Sequence, residues 1–297
     1  MQTVESLRQR IAGVEDLQTV VRTMKSLAAV NIRQYEKAVE SLSAYYQTIE
    51  LGLYVVLKDE FPEALASPSL PEGGLSAVVM GSDQGLCGRF NDQIASHALE
   101  TLNGLEPRPE LRQVLCVGGR AQAHLEEAGQ PVEAGFSLPG SLSGITPAVQ
   151  TVLMKLEEIQ SRRGLDRILL FYNKSLPGAS YLPQTLYLLP LDQAWLGNLT
   201  RKPWPSRVLP VYTMDRTRLF DSLVRQYLFV SLYRAFAESM ASENASRLAS
   251  MQVAERNIGE RLEELHAESR HRRQTSITEE LLDIVAGLEA LVTEPKL

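Results

Sequence analysis

The sequence predicts an α/β protein in which a long antiparallel coiled coil, made from the N- and C-terminal helices, accompanies a central Rossmann-like α/β domain. The first observation is the distribution of proline, which breaks helices. Of the 15 prolines, 14 lie between Pro62 and Pro210. The second observation is that strand-like and helix-like stretches alternate within this middle region, as in a mostly parallel sheet covered by helices. We therefore expect helices in residues 1–61 and 211–297, and the α/β domain in residues 62–210.

The apolar residues of the two flanking segments repeat with the heptad spacing of a coiled coil. The first seam begins with Val4, Leu7, Ile11 and Val14. After a shorter, stammer-like step, we expect it to continue with Leu17, Val21, Met24 and Ala28. The second segment has a similar stripe of Leu248, Met251, Val253 or Ala254, Ile258, Leu262 and Leu265. Charged residues of both signs, Glu255 among them, are expected on the opposite face.

The two flanking segments differ in length. The proline-free stretch 211–294 exceeds the stretch 1–61 by about 23 residues, or roughly 35 Å of helix. In an antiparallel pair, this excess forms a single-helix tip that begins near residue 275. The apolar residues of the tip are Ile277, Leu281, Ile284, Val285 and Leu288. A lone helix with these side chains should not stand in water, so the sequence predicts that a partner encloses the tip.

The middle region contains the elements of a layered α/β domain. The predicted strands are Leu75–Met80, Val114–Val117, Arg167–Tyr172 and Thr185–Leu189. The predicted helices are Phe90–Leu102, Arg120–Ala128 and Pro147–Arg162, the first of them capped by Asn91 or Asp92. Leu65–Gly74 and Trp195–Pro210 are expected to be linkers. The apolar strands fit a sheet that is covered on both faces.

A glycine-rich loop, Gly81–Gly88, lies between the first predicted strand and the first predicted helix of the middle region. This is where phosphate binds in doubly wound folds. However, the glycine spacing does not match a dinucleotide fingerprint, the Lys-Ser/Thr pair of a P-loop is missing, and Asp83 would repel phosphate. Tight-turn geometry or contact with a partner is therefore the favoured role of the loop, and Cys87 is expected to be a packed thiol.

Composition excludes several other classes of function. The net charge of -6 is opposite to that of a generic nucleic-acid-binding surface, so no nucleic acid partner is expected. No apolar run reaches the 18 residues or so of a membrane span, so no transmembrane segment is expected in this sequence. The 2 cysteines and 4 histidines show no metal-ligand spacing, and the common catalytic signatures are missing. We expect no catalytic residues, no cofactor and no metal.

Three segments resemble the gamma subunit of F-type ATP synthases. The segment Leu7–Arg33 is similar to the N-terminal helix of that family, and Gly81–Asn91 (GSDQGLCGRFN) is similar to its central signature. The third segment, Ala241–Leu291, is similar to the C-terminal helix of the family. Its stretch RRQTSITEEL at 272–281 is the most specific match, because no generic coiled coil requires it. The chain departs from the family pattern at Gln84, Arg89 and 28–32, and these departures favour a divergent branch, the alternate or N-type ATPase of some prokaryotes.

The resemblance implies a rotor. The paired helices would form a shaft inside a hexamer of three alpha and three beta subunits, and the α/β domain would form a foot that binds the epsilon subunit and the membrane c-ring. Arg273 and Gln274 would touch a beta-subunit loop, with Met24 near the same level and the apolar tip in the sleeve. The signature residues of the foot are Ser82, Asp83, Gly85, Leu86, Cys87, Gly88 and Asn91. The complex would lie on the cytoplasmic face of a prokaryotic inner membrane.

Two other classes of function remain open from the residues alone. A coiled-coil adaptor with an α/β head would form a stable homodimer through its helices. A nucleotide-dependent enzyme that uses Gly81–Gly88 would bind nucleotide as an isolated chain. A rotor subunit would instead form a one-to-three complex with each subunit of the catalytic head, and it would perform no bond chemistry itself.

Overall fold

The structure of the protein is a computed structural model that describes residues 4–58, 74–163, 165–176, 180–201, 204–205, 207–208 and 210–292. The helices are α1 (Val4–Leu57), α2 (Phe90–Leu105), α3 (Gly119–Glu127), α4 (Ile145–Arg163), α5 (Gln193–Arg201) and α6 (Arg216–Val292). The strands are β1 (Gly74–Met80), β2 (Arg112–Val117), β3 (Ala134–Phe136), β4 (Leu165–Leu176) and β5 (Ser180–Leu189). No helix in the described part of the chain has an apolar stretch long enough for a bilayer crossing.

The chain divides into two compact units. The smaller unit combines the start of α1, up to Leu27, with the part of α6 that follows Leu248, and the larger unit is Ala28–Leu248. The predicted division at residues 61 and 210 stays a prediction, because 59–73 and several positions between 202 and 209 lie outside the described residues. The predicted linker Leu65–Gly74 falls almost entirely in the first of these gaps.

The larger unit is built on a five-stranded sheet with the order β3-β2-β1-β4-β5. The first four strands pair in parallel, and β5 pairs antiparallel to β4. Every residue of β2 is buried, as expected for a strand covered on both faces. The predicted α/β fold with long terminal helices is confirmed.

Strand alternation divides the core of the larger unit into two layers. Ala77 and Val79 of β1 face a cluster with α2 and α3. Val78 and Met80, one residue out of phase, face a second cluster that includes α4 and the middle of α6. A third cluster joins the end of α1 to the start of α6 and to α5.

Several local predictions are corrected. Helix α2 begins at Phe90 and its start has no side-chain cap, so the expected capping by Asn91 or Asp92 is wrong. Asn91 is instead buried under the preceding loop. Helix α5 covers 193–201, so the expected linker that starts at Trp195 is helical in its first part. Its one-sided apolar pattern packs Leu196 and Leu199 against the third cluster.

In the smaller unit, α1 and α6 form an antiparallel pair. Leu7, Ile11, Leu262 and Leu265 are the buried core of this pair, with Val14 and Ile258 packed against them. Near the other end of the unit, Glu255 accepts hydrogen bonds from Arg22 and Lys25. The expectation that Glu255 lies on the solvent face is therefore wrong: it lies beside the seam and joins the two helices.

The seam of α1 differs from its predicted course after Val14. Leu17 is 57% exposed, whereas its neighbour Gln18 is partly buried. Steps of four and three residues therefore run without interruption through Leu7, Ile11, Val14, Gln18, Val21 and Lys25. The predicted stammer at Leu17 is wrong. The heptad spacing continues without a shift, with the polar side chain of Gln18 at the seam position. The sequence left open whether Val253 or Ala254 belongs to the apolar stripe of α6. Ala254 is partly buried and Val253 is exposed, so Ala254 is the seam residue.

Candidate functional site

The glycine-rich loop lies at the carboxyl end of β1, where the chain turns towards α2. Its first residue is joined to the neighbouring strand, because Gly81 N donates to Val117 O at 2.8 Å. Gly118, which follows the last residue of β2, has a φ of +99°. A Cβ on Gly118 would come within 2.7 Å of Ser82 N. Only glycine lets the ends of β1 and β2 approach this closely.

Ser82 and Asn91 form the centre of the loop. The amide of Ser82 donates to Asn91 Oδ1 at 2.8 Å, and Asn91 Nδ2 donates to Ser82 Oγ at 2.8 Å. The Ser82 hydroxyl in turn donates to Gln84 O at 2.8 Å. Both side chains are buried, so this reciprocal pair closes the loop from inside.

Cys87 completes the buried part of the loop. Its Sγ lies 3.6 Å from Ser82 Oγ and 3.5 Å from Asn91 Nδ2. Burial is the main cause of the raised pKa of this thiol, with a smaller contribution from the charge of Glu243. The neutral thiol is a poor nucleophile. This geometry agrees with the predicted packed role of Cys87.

Asp83 binds main-chain amides instead of pointing at a ligand. Its two carboxylate oxygens accept hydrogen bonds from Gly119 N at 2.9 Å and from Leu138 N at 2.7 Å. Gly119 is the first residue of α3. The carboxylate thus lies where the start of a helix would otherwise attract an anion such as phosphate. This arrangement favours a structural role for the loop over the nucleotide-binding alternative.

The remaining signature residues form the outer side of the loop. Leu86 is 63% exposed and has a φ of +63°, and Gly88 has a φ of +58°. Gly85 is partly exposed, and Arg89 pairs at the surface with Asp92 at 3.0 Å. The structure therefore brings Ser82, Cys87 and Asn91 together and leaves Leu86 open to a partner.

The loop also contacts a face of α6 that the sequence prediction missed. Ser246 Oγ donates to Cys87 O at 2.6 Å, and Arg247 Nη2 lies 3.5 Å from Gly85 O. Nearby, the Ser242 hydroxyl lies 2.9 Å from Asn173 O. The four-residue spacing of serines in the run 238–247 was the available signal, since that spacing places side chains on one helical face.

The second candidate site is the end of α6. Arg273 and Gln274 are exposed, and every side chain described from Ile277 to 286 is exposed as well. Leu281 is 58% and Ile284 is 62% exposed, and Ile277, Leu282 and Val285 are open to a similar degree. Leu288 lies within α6, but its side chain is outside the described residues. On α1, Met24 is partly buried.

The exposed side chains at the end of α6 offer a surface for binding. Among the described residues, no cluster of His, Cys, Asp or Glu has the arrangement of a metal site. Residues 3–291 match the family model described as ATP synthase. The chain belongs to the gamma-subunit family of F-type ATP synthases. The predicted role as a rotary shaft is confirmed at the level of this family.

Solved structures of ATP synthases have the same fold as this gamma-family chain. One is the central stalk and c-ring of the Tetrahymena thermophila mitochondrial ATP synthase, with 20% identity, a TM-score of 0.57, and coverage of 79% of this chain and 99% of that chain. Another is the rotor of the Euglena gracilis mitochondrial ATP synthase in rotational state 1, with 16% identity, a TM-score of 0.62, and coverage of 92% and 98%. A third is the Euglena OSCP/F1/c-ring assembly in rotational state 3, with 16% identity, a TM-score of 0.66, and coverage of 99% and 97%.

Proposed function

We propose that this chain is the non-catalytic central shaft of a rotary ATP synthase, and that it couples ion flow through a membrane ring to ATP synthesis or hydrolysis in an alpha/beta hexamer. Its partners in this proposal are three alpha subunits, three beta subunits, an epsilon subunit and the c-ring. The observation that carries the proposal is the exposed apolar tip of α6 in a chain of the gamma family. The solved relatives, which include a central stalk with its c-ring and an F1 assembly with its c-ring, support the alpha, beta and c-ring partners.

The apolar side chains of the tip suit a contact in which the helix rotates against its partner. Burial of apolar surface yields about 25 cal/mol per Å², and side chains such as Leu281 and Ile284 forgo this while they face water. Leu282, which the sequence prediction did not include, widens the apolar arc. An apolar sleeve would cover this arc without strong ion pairs. Because such contacts are non-directional, the tip could turn inside the sleeve at low cost.

The residues just before the tip have the opposite character. Arg270, His271, Arg272, Arg273 and Gln274 are exposed in succession on α6. We place this basic run opposite acidic loops of the beta subunits, with Arg273 and Gln274 as the contact pair. Met24 is partly buried against the coiled coil beside Lys25, which contacts Glu255. It would therefore meet the sleeve about 18 residues, or roughly 27 Å of helix, before the level of Arg273.

The mechanism is linkage between shaft angle and nucleotide affinity. A shaft that presents a different face to each beta subunit stabilises a different conformation in each, by the difference in its contact energy with those conformations. Nucleotide binding and release then shift the shaft in return, since coupling between two equilibria is reciprocal. The chain itself makes and breaks no covalent bond in this scheme.

The α/β domain acts as the foot in this proposal, next to the membrane ring and the epsilon subunit. Leu86 is the exposed signature residue with the most apolar surface to offer such a partner. The departures at Gln84 and Arg89 favour the alternate or N-type branch. The complex would then be peripheral to the cytoplasmic face of a prokaryotic inner membrane.

Co-expression with alpha and beta subunits, followed by affinity capture and native mass measurement, tests the proposal. We expect one copy of this 33.0 kDa chain for three alpha and three beta subunits. Replacing Leu281 and Ile284 together by serine should weaken the complex, whereas Leu182→Ser, at a similarly exposed site on β5, should not. A homodimer without the other subunits would support the adaptor alternative, and nucleotide binding by the isolated chain would support the enzyme alternative.

A further inference from the structure

The middle of α6 is buried on all sides. Residues 235–246 are buried without interruption, whereas a helix at the surface of a domain normally buries one stripe. Helix α1 behaves normally in the same unit: Ala28 and Tyr35 are buried, and Ala29, Val30 and Arg33 between them are exposed. The α/β domain and α1 together enclose this part of α6, whereas α1 itself stays at the surface.

The enclosed part of α6 is unusually polar. Two rows with four-residue spacing run along it: Glu238, Ser242 and Ser246 form one row, and Ser239, Glu243 and Arg247 form the other. Such rows are neighbours on a helix surface. Buried polar side chains cost free energy unless they are hydrogen-bonded, so their partners show what holds the helix.

Three of these side chains, those of Ser242, Ser246 and Arg247, reach main-chain carbonyl groups of β4 or of the signature loop, Gly81–Asn91. Ser246 donates to Cys87 O at 2.6 Å. The single proton of the Ser242 hydroxyl is shared between Asn173 O at 2.9 Å and Glu238 O of its own helix at 2.8 Å. Asn173 in turn donates through Nδ2 to Phe90 O at 3.2 Å, which ties the end of β4 to the loop. Serine hydroxyls of α6 thus contact both the loop that follows β1 and the neighbouring strand β4.

Two ion pairs flank these serines within α6. Arg247 Nη2 lies 2.6 Å from Glu243 Oε1, and both side chains are almost fully buried. Arg234 Nε lies 2.7 Å from Glu238 Oε1 at the other end of the enclosed stretch. Each carboxylate holds an arginine in place, and Arg247 is thereby directed towards the signature loop.

Helix α1 has a weaker polar connection to the same stretch. Asn31 Nδ2 lies 3.3 Å from Asn244 Oδ1, which joins α1 to α6 and not to the sheet. Outside this stretch, α1 has further hydrogen bonds, from Tyr45 to Gln226 of α6 and from Trp195 of α5 to Glu50. Within the stretch, its other contacts with α6 are apolar, and apolar contacts are non-directional. Hydrogen bonds weaken steeply when they are bent, so they fix both the angle and the axial position of α6.

We infer that Ser242, Ser246 and Arg247 form an α6 clamp through which the α/β domain transmits turning force to the C-terminal helix, with α1 following α6. The signature loop would then have a mechanical role, because its carbonyl groups receive two of the three clamp side chains. This inference rests on the proposed rotor function and assigns the residues that position the shaft on its foot.

The test uses the ATP synthase assembled from the full chain and its partner subunits. Replacing Ser242 and Ser246 together by alanine removes the hydroxyl groups and adds no bulk. The matched control is Thr185→Val, which removes the 2.8 Å hydrogen bond to His97 inside the same domain but does not touch α6. Three measurements follow: subunit stoichiometry, ATP hydrolysis, and the number of ions pumped per ATP hydrolysed.

We expect the serine variant to assemble and to hydrolyse ATP, but to pump fewer ions per ATP than the control. Hydrogen exchange of the free full-length chain gives a second measurement, in which amides 85–90 and 235–247 should exchange faster in the serine variant alone. An unchanged pumping ratio or unchanged exchange would overturn the clamp. If the unmodified chain does not assemble with alpha and beta subunits, the rotor function itself fails, and this outcome is separate from failure of the clamp.

Discussion

Arg22 Nε lies 3.0 Å from Glu255 Oε1 and joins helices whose contacting residues are 233 positions apart in sequence. Lys25 Nζ lies 2.5 Å from the other oxygen of the same carboxylate. The pKa of Glu255 is lowered, first by the hydrogen bond from Lys25 and then by that from Arg22. One carboxylate on α6 thus receives two cations from α1, which fixes the antiparallel register of the smaller unit.

This shared carboxylate predicts a pH dependence. A group with a lowered pKa in the folded state contributes stability above its ordinary value, here 4.5, and loses it as the pH falls through the lowered value. Glu255→Gln should therefore lower the unfolding temperature slightly at pH 7, and the difference from the unmodified chain should vanish in acid. Glu264→Gln, which removes an exposed contact with Arg261, is the control. Thermal unfolding followed by circular dichroism from pH 3 to pH 7 measures both. If the Glu255→Gln variant still unfolds at a lower temperature than the unmodified chain at pH 3, the lost stability does not come from the ionised carboxylate of Glu255.

The position of the coiled-coil seam predicts a contrast between two leucines of α1. Leu7 is fully buried, and Leu17 is mostly exposed. Leu7→Ala should cost about 2–5 kcal/mol of unfolding free energy, since it leaves a cavity among Ile11, Leu262 and Leu265. Leu17→Ala should stay within about 0.5 kcal/mol. Urea unfolding measures the free energy of unfolding of the two variants. Equal decreases would show that Leu17 lies in the seam, as the predicted stammer requires.

The same pair of leucines shows how far the apolar pattern predicts this fold. Long helices and a parallel sheet followed from proline spacing and apolar periodicity, because both features are local. The choice between Leu17 and Gln18 was not local: Leu17 has the apolar side chain, but the phase set by Leu7, Ile11 and Val14 places Gln18 in the seam. Packing on a partner helix overrides residue preference at a single position.

The reciprocal pair of Ser82 and Asn91 predicts a stability effect in the α/β domain. Asn91→Ala leaves the Ser82 amide without its buried acceptor and removes one donor to the Ser82 hydroxyl, which keeps its hydrogen bond to Gln84 O. The loss should be about 1–3 kcal/mol. Asp92→Ala, one residue away, removes only the surface contact with Arg89 and should be nearly neutral. Denaturant unfolding of the two variants measures the contrast, and a small effect at Asn91 would show that the loop does not depend on this pair.

The candidate site was predictable in part. The strand, loop and helix order placed Gly81–Gly88 at the edge of the sheet, and the charge of Asp83 argued against phosphate. The role of Asn91 was not predictable from its place at the start of a helix, because capping and loop closure require the same residue type. The contacts of Ser246 with Cys87 and of Ser242 with Asn173 span 159 and 69 residues of sequence, so they depend on tertiary packing.

The two cysteines should be unreactive in the folded chain. Burial raises the pKa of Cys87 and raises that of Cys116 to about 12, so neither forms thiolate readily near neutral pH. We expect a thiol reagent such as iodoacetamide to modify neither residue in native protein at pH 8 and both in denaturant. Asn91→Ala should expose Cys87 in preference to Cys116, because Asn91 contacts only the first thiol. Mass spectrometry reads each site, and rapid labelling of native Cys87 would contradict its packed role.

The exposed pair Arg273 and Gln274 predicts a loss of coupling without a loss of assembly. Replacing both by alanine removes a guanidinium and an amide that have no packing role in the described smaller unit, where both are exposed. If they hydrogen-bond a beta-subunit loop, ATP-driven ion pumping should fall roughly two- to tenfold, the factor that corresponds to about 0.5–1.5 kcal/mol of lost hydrogen bonding.

Stoichiometry should remain three alpha and three beta subunits to one chain in this variant, because the apolar arc formed by Ile277, Leu281 and Ile284 is unchanged. Arg108→Ala provides the control: it also removes an exposed arginine, but from the α/β domain, where it pairs with Glu106. Because a sleeve contact exists only in the complex, the free chain should melt at the same temperature with either substitution. If the double alanine variant pumps ions as fast as the Arg108→Ala control, Arg273 and Gln274 do not contribute to coupling, and the apolar tip alone makes the contact with the catalytic head.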